Sequence, residues 1–400
     1  MSSEQPDKPN RIVICALETY SKIGGLQNFN RRVFRNLALR SLEGKEGSAL
    51  AVLSGDHSVV LPVIEGLEFS APKNQPLFLA TAFWMSLFRA SALIICHINL
   101  LPLAFAVRLF RRRLPIVLFI HGCEVWNTHG PRKIRFYETW LIGSLTRIAS
   151  VSRFTAERME REFHVAPDKF RFLPNAVDRL KGAAAASAPE PLTILTVARL
   201  GFGERQKNVH EMIAAVAAVR RRLPGVKYEI IGDGELKPEL QALAEKLGVS
   251  DCVRFFGQVD DRELCEAYAR AAAFAMPSDK EGFGIVYLEA WQQAKPVICS
   301  TRGAASEIVA DGVDGFAVDP TDINLLADRI YVLLTQPDMA RAMGESGRQK
   351  VEQKYLNANF RQHLDKILDE LLADSVQPDP AGDPCRENSD SGQQASGAPQ

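Results

Sequence analysis

No Asp-x-Asp triplet occurs anywhere in this chain of 400 residues, so a carboxylate pair for holding a divalent cation on a diphosphate is not indicated. No Cys-x-x-Cys occurs either. The seven cysteines (Cys15, Cys96, Cys123, Cys252, Cys265, Cys299 and Cys385) stand singly, without the spacing of a zinc site or a disulfide framework. That usage fits a reduced compartment with buried thiols. No uninterrupted apolar run reaches the ~20 residues of a membrane span. The opening segment MSSEQPDKPN lacks the apolar stretch of a secretory signal. Net charge is absent too: 48 Lys and Arg balance 48 Asp and Glu. The long-range basic field of a nucleic-acid binder is therefore missing. A cytoplasmic protein without metal or cofactor is expected.

The chain does have length and pattern. Four hundred residues exceed one ordinary core, and two domains are expected. Compact β-branched runs such as RIVICAL (11–17), SALAVLS (48–54), ALIICHI (92–98), PIVLFIH (115–121), RIASVS (147–152) and FRFLPN (170–175) alternate with helical segments. That alternation reads as a parallel sheet covered on both faces. The stretch LKGAAAASAPEP (180–191) loses all periodicity. The pattern then restarts with LTILTVA, KYEIIGDG, VRFFGQV, AAFAMPS, PVICST and GFAVD. The expected fold class is α/β, with two Rossmann-like doubly wound domains facing an interdomain cleft. Residues 1–180 form the first domain, 181–191 a linker and 192–356 the second domain. Residues 357–374 form a last helix, and the Pro/Gly/Ser/Gln-rich 375–400 a disordered tail.

SDKEGFGIVYLEAWQQAKPVICS (278–300) raises the chemical question. Gly282 and Gly284 precede a buried-type helix, so unpaired N–H groups at its start, with glycines allowing close approach, suit a phosphate. Glu289 falls ~7–8 Å along the helix axis from Gly284, and Glu281 lies on the other side of the turn. A nucleoside diphosphate sugar matches this layout: diphosphate at the helix end, ribose hydroxyls on one carboxylate, sugar hydroxyls on the other. A second loop, VARLGFGERQKNVH (197–210), leaves a strand with Arg199 and starts the next helix at Lys207. Together these cations can neutralise a departing diphosphate, while Arg205 between them is expected to face water.

In the first half, the loop IGGLQNF (23–29) and the strand-end residues His97, His121 and Glu124 are candidates for lining the cleft. Neither histidine has the partners of a zinc site. Cys123 beside His121 reads as a small filler.

GGLQ, HGCEVW, ASVSRFTAERM, LPNAVD, VARLGFGERQKN, IIGDGEL, EGFGIVYLEA and RGAASEIVADGVDGFAV occur in this order. With them the chain resembles the retaining, metal-independent glycosyltransferases of family four, with the GT-B fold, over residues 11–372. The resemblance implies that Glu281 contacts the donor sugar and Glu289 the ribose. It further implies that Arg199 and Lys207 bind the diphosphate, and that Gly24 and Gly25 form a loop beside it. Gly282, Phe283, Gly284 and Ile285 would complete the phosphate cradle with their main chain. His121 is similar to a histidine near the transferred sugar, with His97 and Glu124 on the acceptor side. His121, Glu281, Arg199 and Lys207 would be the catalytic set. Two departures are visible: Asn208 stands where the family commonly has glycine after the lysine, and the loop from Arg199 to Lys207 is longer than in many members. By the same resemblance the last helix crosses back to the first domain, and the reaction is a front-side displacement in which the departing phosphate takes the acceptor proton.

A polysaccharide or lipid-linked saccharide acceptor, with a UDP- or GDP-sugar donor, follows the family's habit. A nucleotide-sugar 2-epimerase of the same architecture and a non-catalytic nucleotide-sugar-binding protein remain as alternatives. The segments 76–95 and 100–115 combine apolar residues with Arg89, Arg108, Arg111, Arg112 and Arg113. They read either as core helices with solvated basic ends or as a peripheral contact with the anionic inner face of the cell membrane.

Overall fold

The computed structural model describes residues 11–22, 24–126, 134–178 and 190–373. The tail 375–400, all but the last two residues of the expected linker 181–191, and the side chain of Cys123 lie outside the described residues.

The first sheet contains β1 (Arg11–Leu17), β2 (Ala49–Ser54), β3 (Leu67–Ser70), β4 (Ala90–Ile95), β5 (Ile116–Ile120), β6 (Arg147–Ser150) and β7 (Phe170–Phe172). All neighbours pair in parallel, in the order β3-β2-β1-β4-β5-β6-β7. Its helices are α1 (Gly25–Leu42), α2 (Gln75–Phe88), α3 (Leu101–Phe110), α4 (Glu138–Leu141) and α5 (Arg153–Phe163). The second sheet, in the order β10-β9-β8-β11-β12-β13, contains β8 (Thr193–Val197), β9 (Lys227–Ile231), β10 (Val253–Gly257), β11 (Ala273–Ala275), β12 (Val297–Ser300) and β13 (Gly315–Val318). Around it lie α6 (Val209–Arg222), α7 (Lys237–Lys246), α8 (Asp261–Arg270), α9 (Ile285–Gln292), α10 (Ala305–Ile308), α11 (Ile323–Thr335) and α12 (Pro337–Lys354), followed by α13 (Asn357–Ala373).

β1 and β5 have interiors with no exposed residue, as expected of strands covered on both faces. The sequence pattern does not reveal β3, because this edge strand has only Leu67 buried and carries no continuous apolar run. α6 starts at Val209 rather than Lys207; residues Phe202–Lys207 coil into 3-10 turns first. Asn208 accounts for that delay. It sits at φ 58°, in the left-handed region where glycine and then asparagine are best tolerated. Its side chain also donates to the Pro277 carbonyl at 2.7 Å, a bond that glycine could not make.

The first sheet is covered unequally. α1 and α13 lie on one face, and α2, α3 and α5 on the other. The apolar cluster under α1 continues through Phe360, Leu364, Ile367, Leu368 and Leu371 of α13 to Tyr287 and Trp291 of α9. That buried spacing is the one-sided stripe of an amphipathic helix. The chain reaches the first domain where the Val177 N–H donates to the Tyr355 carbonyl at 2.9 Å.

Arg40 of α1 then fixes α13. Fully buried, it lies 2.6 Å from Glu46 and 2.9 Å from Asp365, and it also pairs with Asp369. Arg40→Ala leaves Glu46 buried without its cation, which costs about 3–5 kcal/mol. Urea unfolding should register that loss, and a change below about 1 kcal/mol would show that α13 is held by its apolar stripe alone.

Candidate active site

Both sheets reverse their strand order beside the first strand, between β1 and β4 and between β8 and β11. Ligands of doubly wound sheets bind in the crevice beyond the strand ends at such a switch. The loops leaving β5, β8 and β11 meet there.

Lys207, ending the β8 loop, forms an ion pair with Glu281 of the β11 loop. Glu204 lies between the two cations, 2.8 Å from Arg199 and 4.0 Å from Lys207. Lys207, Glu204 and Glu281 are largely buried, whereas the Arg199 side chain is 76% exposed. The cluster thus balances two cations against two carboxylates and leaves one cation reaching into solvent. Main-chain ties hold the loops in register: the Asp279 N–H donates to the Gln206 carbonyl at 2.8 Å. Lys280 Nζ donates to the Gly203 carbonyl at 2.9 Å. Arg205 turns outward, half-exposed and paired with Glu239. Glu204 is absent from the sequence reading. Its only signal there is an acid flanked by cations in one loop, which resembles any solvated charge cluster.

Gly284 immediately precedes α9, its φ of 93° is left-handed, and the helix start carries no side-chain cap. A Cβ at Gly284 would fall 2.4 Å from the Tyr287 ring, so only glycine fits. Ile285, the first residue of α9, is partly buried. Phe283 is buried, with its ring 5.8 Å from that of Tyr355, so only its main chain is left for a ligand. Gly282 has another neighbour. A Cβ there would lie 1.8 Å from the His121 carbonyl oxygen, and a Cβ on Gly122 would lie 2.7 Å from the Gly282 Cα. The two domains therefore meet backbone to backbone through two glycines at the floor of the cleft.

Glu289 lies on α9. The residue keeps some exposure, yet its carboxyl group is hemmed in and burial pushes it up to about 7. The fully buried Tyr268 hydroxyl donates to it at 2.9 Å and favours the ionised form, while the charge of Asp261 opposes ionisation.

His121 follows β5. Burial of its ring, reinforced by nearby His97, pulls it down to about 3 against a hydrogen bond with the Cys96 main chain. It is therefore neutral near pH 7. Its Nε2 is buried and has no partner among the described residues, and since the ring proton is engaged with the Cys96 main chain, Nε2 of the neutral ring is left to accept from a ligand hydroxyl. Phe29 of α1 packs edge-on at 4.5 Å and brings the first turns of α1 beside it. Gly24, extended, and Gly25 open α1 without a side-chain cap. His97 Nδ1 accepts from the Asn99 N–H at 3.1 Å, and the Glu124 carboxylate accepts from the His121 N–H. Both acceptor-side candidates thus also brace their own loops.

Glu307, which sequence reasoning missed, crosses the cleft. Its carboxylate accepts from the main-chain N–H of Arg153, at 2.9 Å, and of Phe154, closing the start of α5 together with Ser152. Among the described residues, no group of three or more His, Cys, Asp or Glu side chains could hold a metal ion.

Residues 181–350 match the family model "Glycosyl transferases group 1", and residues 42–179 match "Glycosyltransferase Family 4". The chain belongs to this family of glycosyltransferases. It is similar to glycogen synthase of Mycobacterium tuberculosis, 30% identical over 60% of this chain and 59% of that protein. It is also similar to a GDP-mannose-dependent alpha-(1-6)-phosphatidylinositol monomannoside mannosyltransferase of Mycolicibacterium smegmatis, 34% identical over 50% of this chain and 56% of that one. The chain thus spans about three fifths of the length of these curated relatives. The fold is shared with sucrose-phosphate synthase from Thermosynechococcus elongatus, at TM-score 0.73 and 18% identity, covering 91% of this chain and 99% of that one. A structure of Anabaena Alr3699/HepE in complex with UDP and glucose shares it at TM-score 0.69 and 17% identity, covering 89% and 99%. The fold is GT-B.

The raised Glu289 has a consequence for stability. Its folded value of about 7 lies above the ordinary 4.5, so its contribution is complete below pH 4.5 and lost as pH rises to about 7. Unfolding free energies measured across that range should fall less steeply in Glu289→Gln than in the wild type. Parallel pH profiles would place the Glu289 carboxyl in ordinary solvent.

Proposed function

We propose that this chain transfers a hexose from a nucleoside-diphosphate sugar to an acceptor hydroxyl, with retention at the anomeric carbon. One observation carries the reading: Lys207 pairs with Glu281, three residues before the Gly284 that precedes the uncapped start of α9, Arg199 joins the same cluster through Glu204, and Glu289 lies along the helix.

In this reading the diphosphate takes Lys207 and Arg199 away from Glu204 and Glu281 and rests against the first N–H groups of α9. Glu281, released, accepts from sugar hydroxyls, and Glu289 accepts from the ribose diol. Neutral His121 offers Nε2 to the sugar. The acceptor oxygen approaches the anomeric carbon on the face from which the diphosphate leaves. The bond from that carbon to the phosphate oxygen breaks as the new glycosidic bond forms, and the acceptor proton passes to the departing phosphate oxygen. No side chain need act as base. The largely buried Lys207 and the helix N–H groups meet the developing charge where such groups act most strongly, and Arg199 adds its charge from the solvent side. Relatives named for GDP-mannose, and neighbours solved with UDP, support a GDP- or UDP-sugar donor. A lipid-linked or polysaccharide saccharide suits the acceptor side, since those mannosyltransferases are named for a phosphatidylinositol mannoside.

A thermal-shift panel of UDP-, GDP- and ADP-sugars, followed by an assay of nucleoside diphosphate release with and without saccharide acceptors, tests this. The true donor stabilises the fold by about 2.7 kcal/mol at a hundredfold excess over Kd. Arg199→Glu with Lys207→Glu abolishes that shift and lowers turnover by at least about 100-fold. Turnover untouched by the double reversal overturns the reading. Release of an altered nucleotide sugar without acceptor points to the epimerase, and stabilisation without release to a binding protein.

A further inference from the structure

α2 is apolar on nearly every side, yet it buries only one narrow stripe, Phe78, Ala82 and Ser86, against its domain. Leu77, Leu79, Trp84 and Phe88 point outward, with Trp84 55% and Phe88 67% exposed. α3 extends the surface through Leu109 and through Phe110, which is 71% exposed. Ring contacts make it continuous: Phe83 lies 5.6 Å from Phe110, and Trp84 stacks on Phe88 at 5.1 Å. Phe105 of α3 packs at 4.4 Å on Trp140 of α4, itself largely exposed. A helix that is apolar all round is normally covered, and aromatic patches this extensive mark a contact surface.

The charge along the segment that carries α2 and α3 has one sign. Between Glu68 and Glu124 there is no Asp or Glu, whereas Lys73, Arg89, Arg108, Arg111, Arg112 and Arg113 all fall there. Two of these arginines serve the fold. Arg108 donates to the Ser144 carbonyl at 2.9 Å, and Arg111 donates to the Ser86 and Ala90 carbonyls at 3.1 and 2.6 Å. The others have no such inward task. Arg89 follows the end of α2, and Arg112 and Arg113 follow the end of α3; all three are exposed beside Phe88 and Phe110.

We propose that the α2–α3 face docks on the surface of an anionic lipid bilayer, with Trp84, Phe88, Leu109 and Phe110 entering the headgroup–acyl boundary and Arg89, Arg112 and Arg113 meeting lipid phosphates. Exposed aromatics edged by arginines, with no acid in the same segment, are complementary to an anionic interface. A second copy of the chain fits the face poorly, because a two-fold contact would bring one basic rim against another. Contact, not insertion, is the mode: among the described residues no helix is long and apolar enough to cross a membrane. The face begins at the candidate site, since His97 directly precedes the 3-10 turn that leads into α3. Docking therefore sets the cleft at the bilayer edge, where a lipid-anchored acceptor would arrive; that last clause rests on the proposed transfer, but docking does not.

Co-sedimentation of the full chain with vesicles decides it, using phosphatidylcholine alone and phosphatidylcholine with one third phosphatidylglycerol, at low and at 0.5 M salt. The expected result is binding to the anionic vesicles only, weakened by salt. Arg112→Glu with Arg113→Glu should reduce it at least about tenfold, and Trp84→Ser with Phe88→Ser should abolish the salt-resistant remainder. Melting curves and the nucleotide-induced shift, which involve none of these residues, confirm that the variants are folded. Wild-type chain that stays in the supernatant with anionic vesicles overturns the proposal, as does equal binding by the charge-reversed variant. Concentration-dependent dimers without lipid, lost in the Trp84/Phe88 variant, would assign the face to a second copy and also overturn it.

Discussion

The ion pair between Lys207 and Glu281 is the constraint on which the rest of the site depends, because it joins two loops from different strands of the second sheet at one point. Around it the β8 and β11 loops are sewn together by main-chain bonds and by the Asn208 side chain. Those ties set where Arg199 emerges and where α9 begins. Glu204 completes a balanced cluster. An anion entering here does not find bare positive charge. It finds two cations already paired, so the proposed binding is an exchange of partners. Such an exchange favours a ligand that satisfies both sides at once, with phosphates for the cations and hydroxyls for the released carboxylates. An inorganic anion supplies only half of that.

The first domain takes part through contact rather than charge. Gly122 and Gly282 let the two backbones touch, and Glu307 reaches across to the start of α5. A continuous apolar seam through α13 backs this arrangement, pinned to α1 by Arg40. The cleft is thus backed along one side by a large hydrophobic surface and touched at its floor by two residues without side chains. His121, neutral and with Nε2 unsatisfied, faces this junction.

Much of this organisation is legible in the sequence, for physical reasons that differ from residue to residue. Fully covered parallel strands must be apolar throughout, so RIVICAL and PIVLFIH announce β1 and β5, while the edge strand β3 is not obliged to be apolar and stays hidden. Gly284 is legible because a helix start in the left-handed region admits little else. Gly282 is only half legible: its lack of a side chain is plain, but the neighbour that demands it belongs to the other domain. Glu204 and Glu307 escape for a related reason. A carboxylate in a charged loop looks the same whether it meets water, a cation in its own loop or a helix start across the cleft. Glu124 reads as a cleft acid, and the bond it also accepts from a main-chain N–H three residues away is not foreseeable. Such local bonds leave no trace in composition.

The central claim is that the pair of Lys207 and Glu281 opens to admit a diphosphate. A crystal structure of the chain with a bound nucleoside diphosphate tests it most directly. The account predicts Lys207 Nζ and the Arg199 guanidinium on phosphate oxygens, with Glu281 separated from the lysine and the diphosphate against the start of α9. A diphosphate bound elsewhere, or one that leaves Lys207 still paired with Glu281, would contradict it.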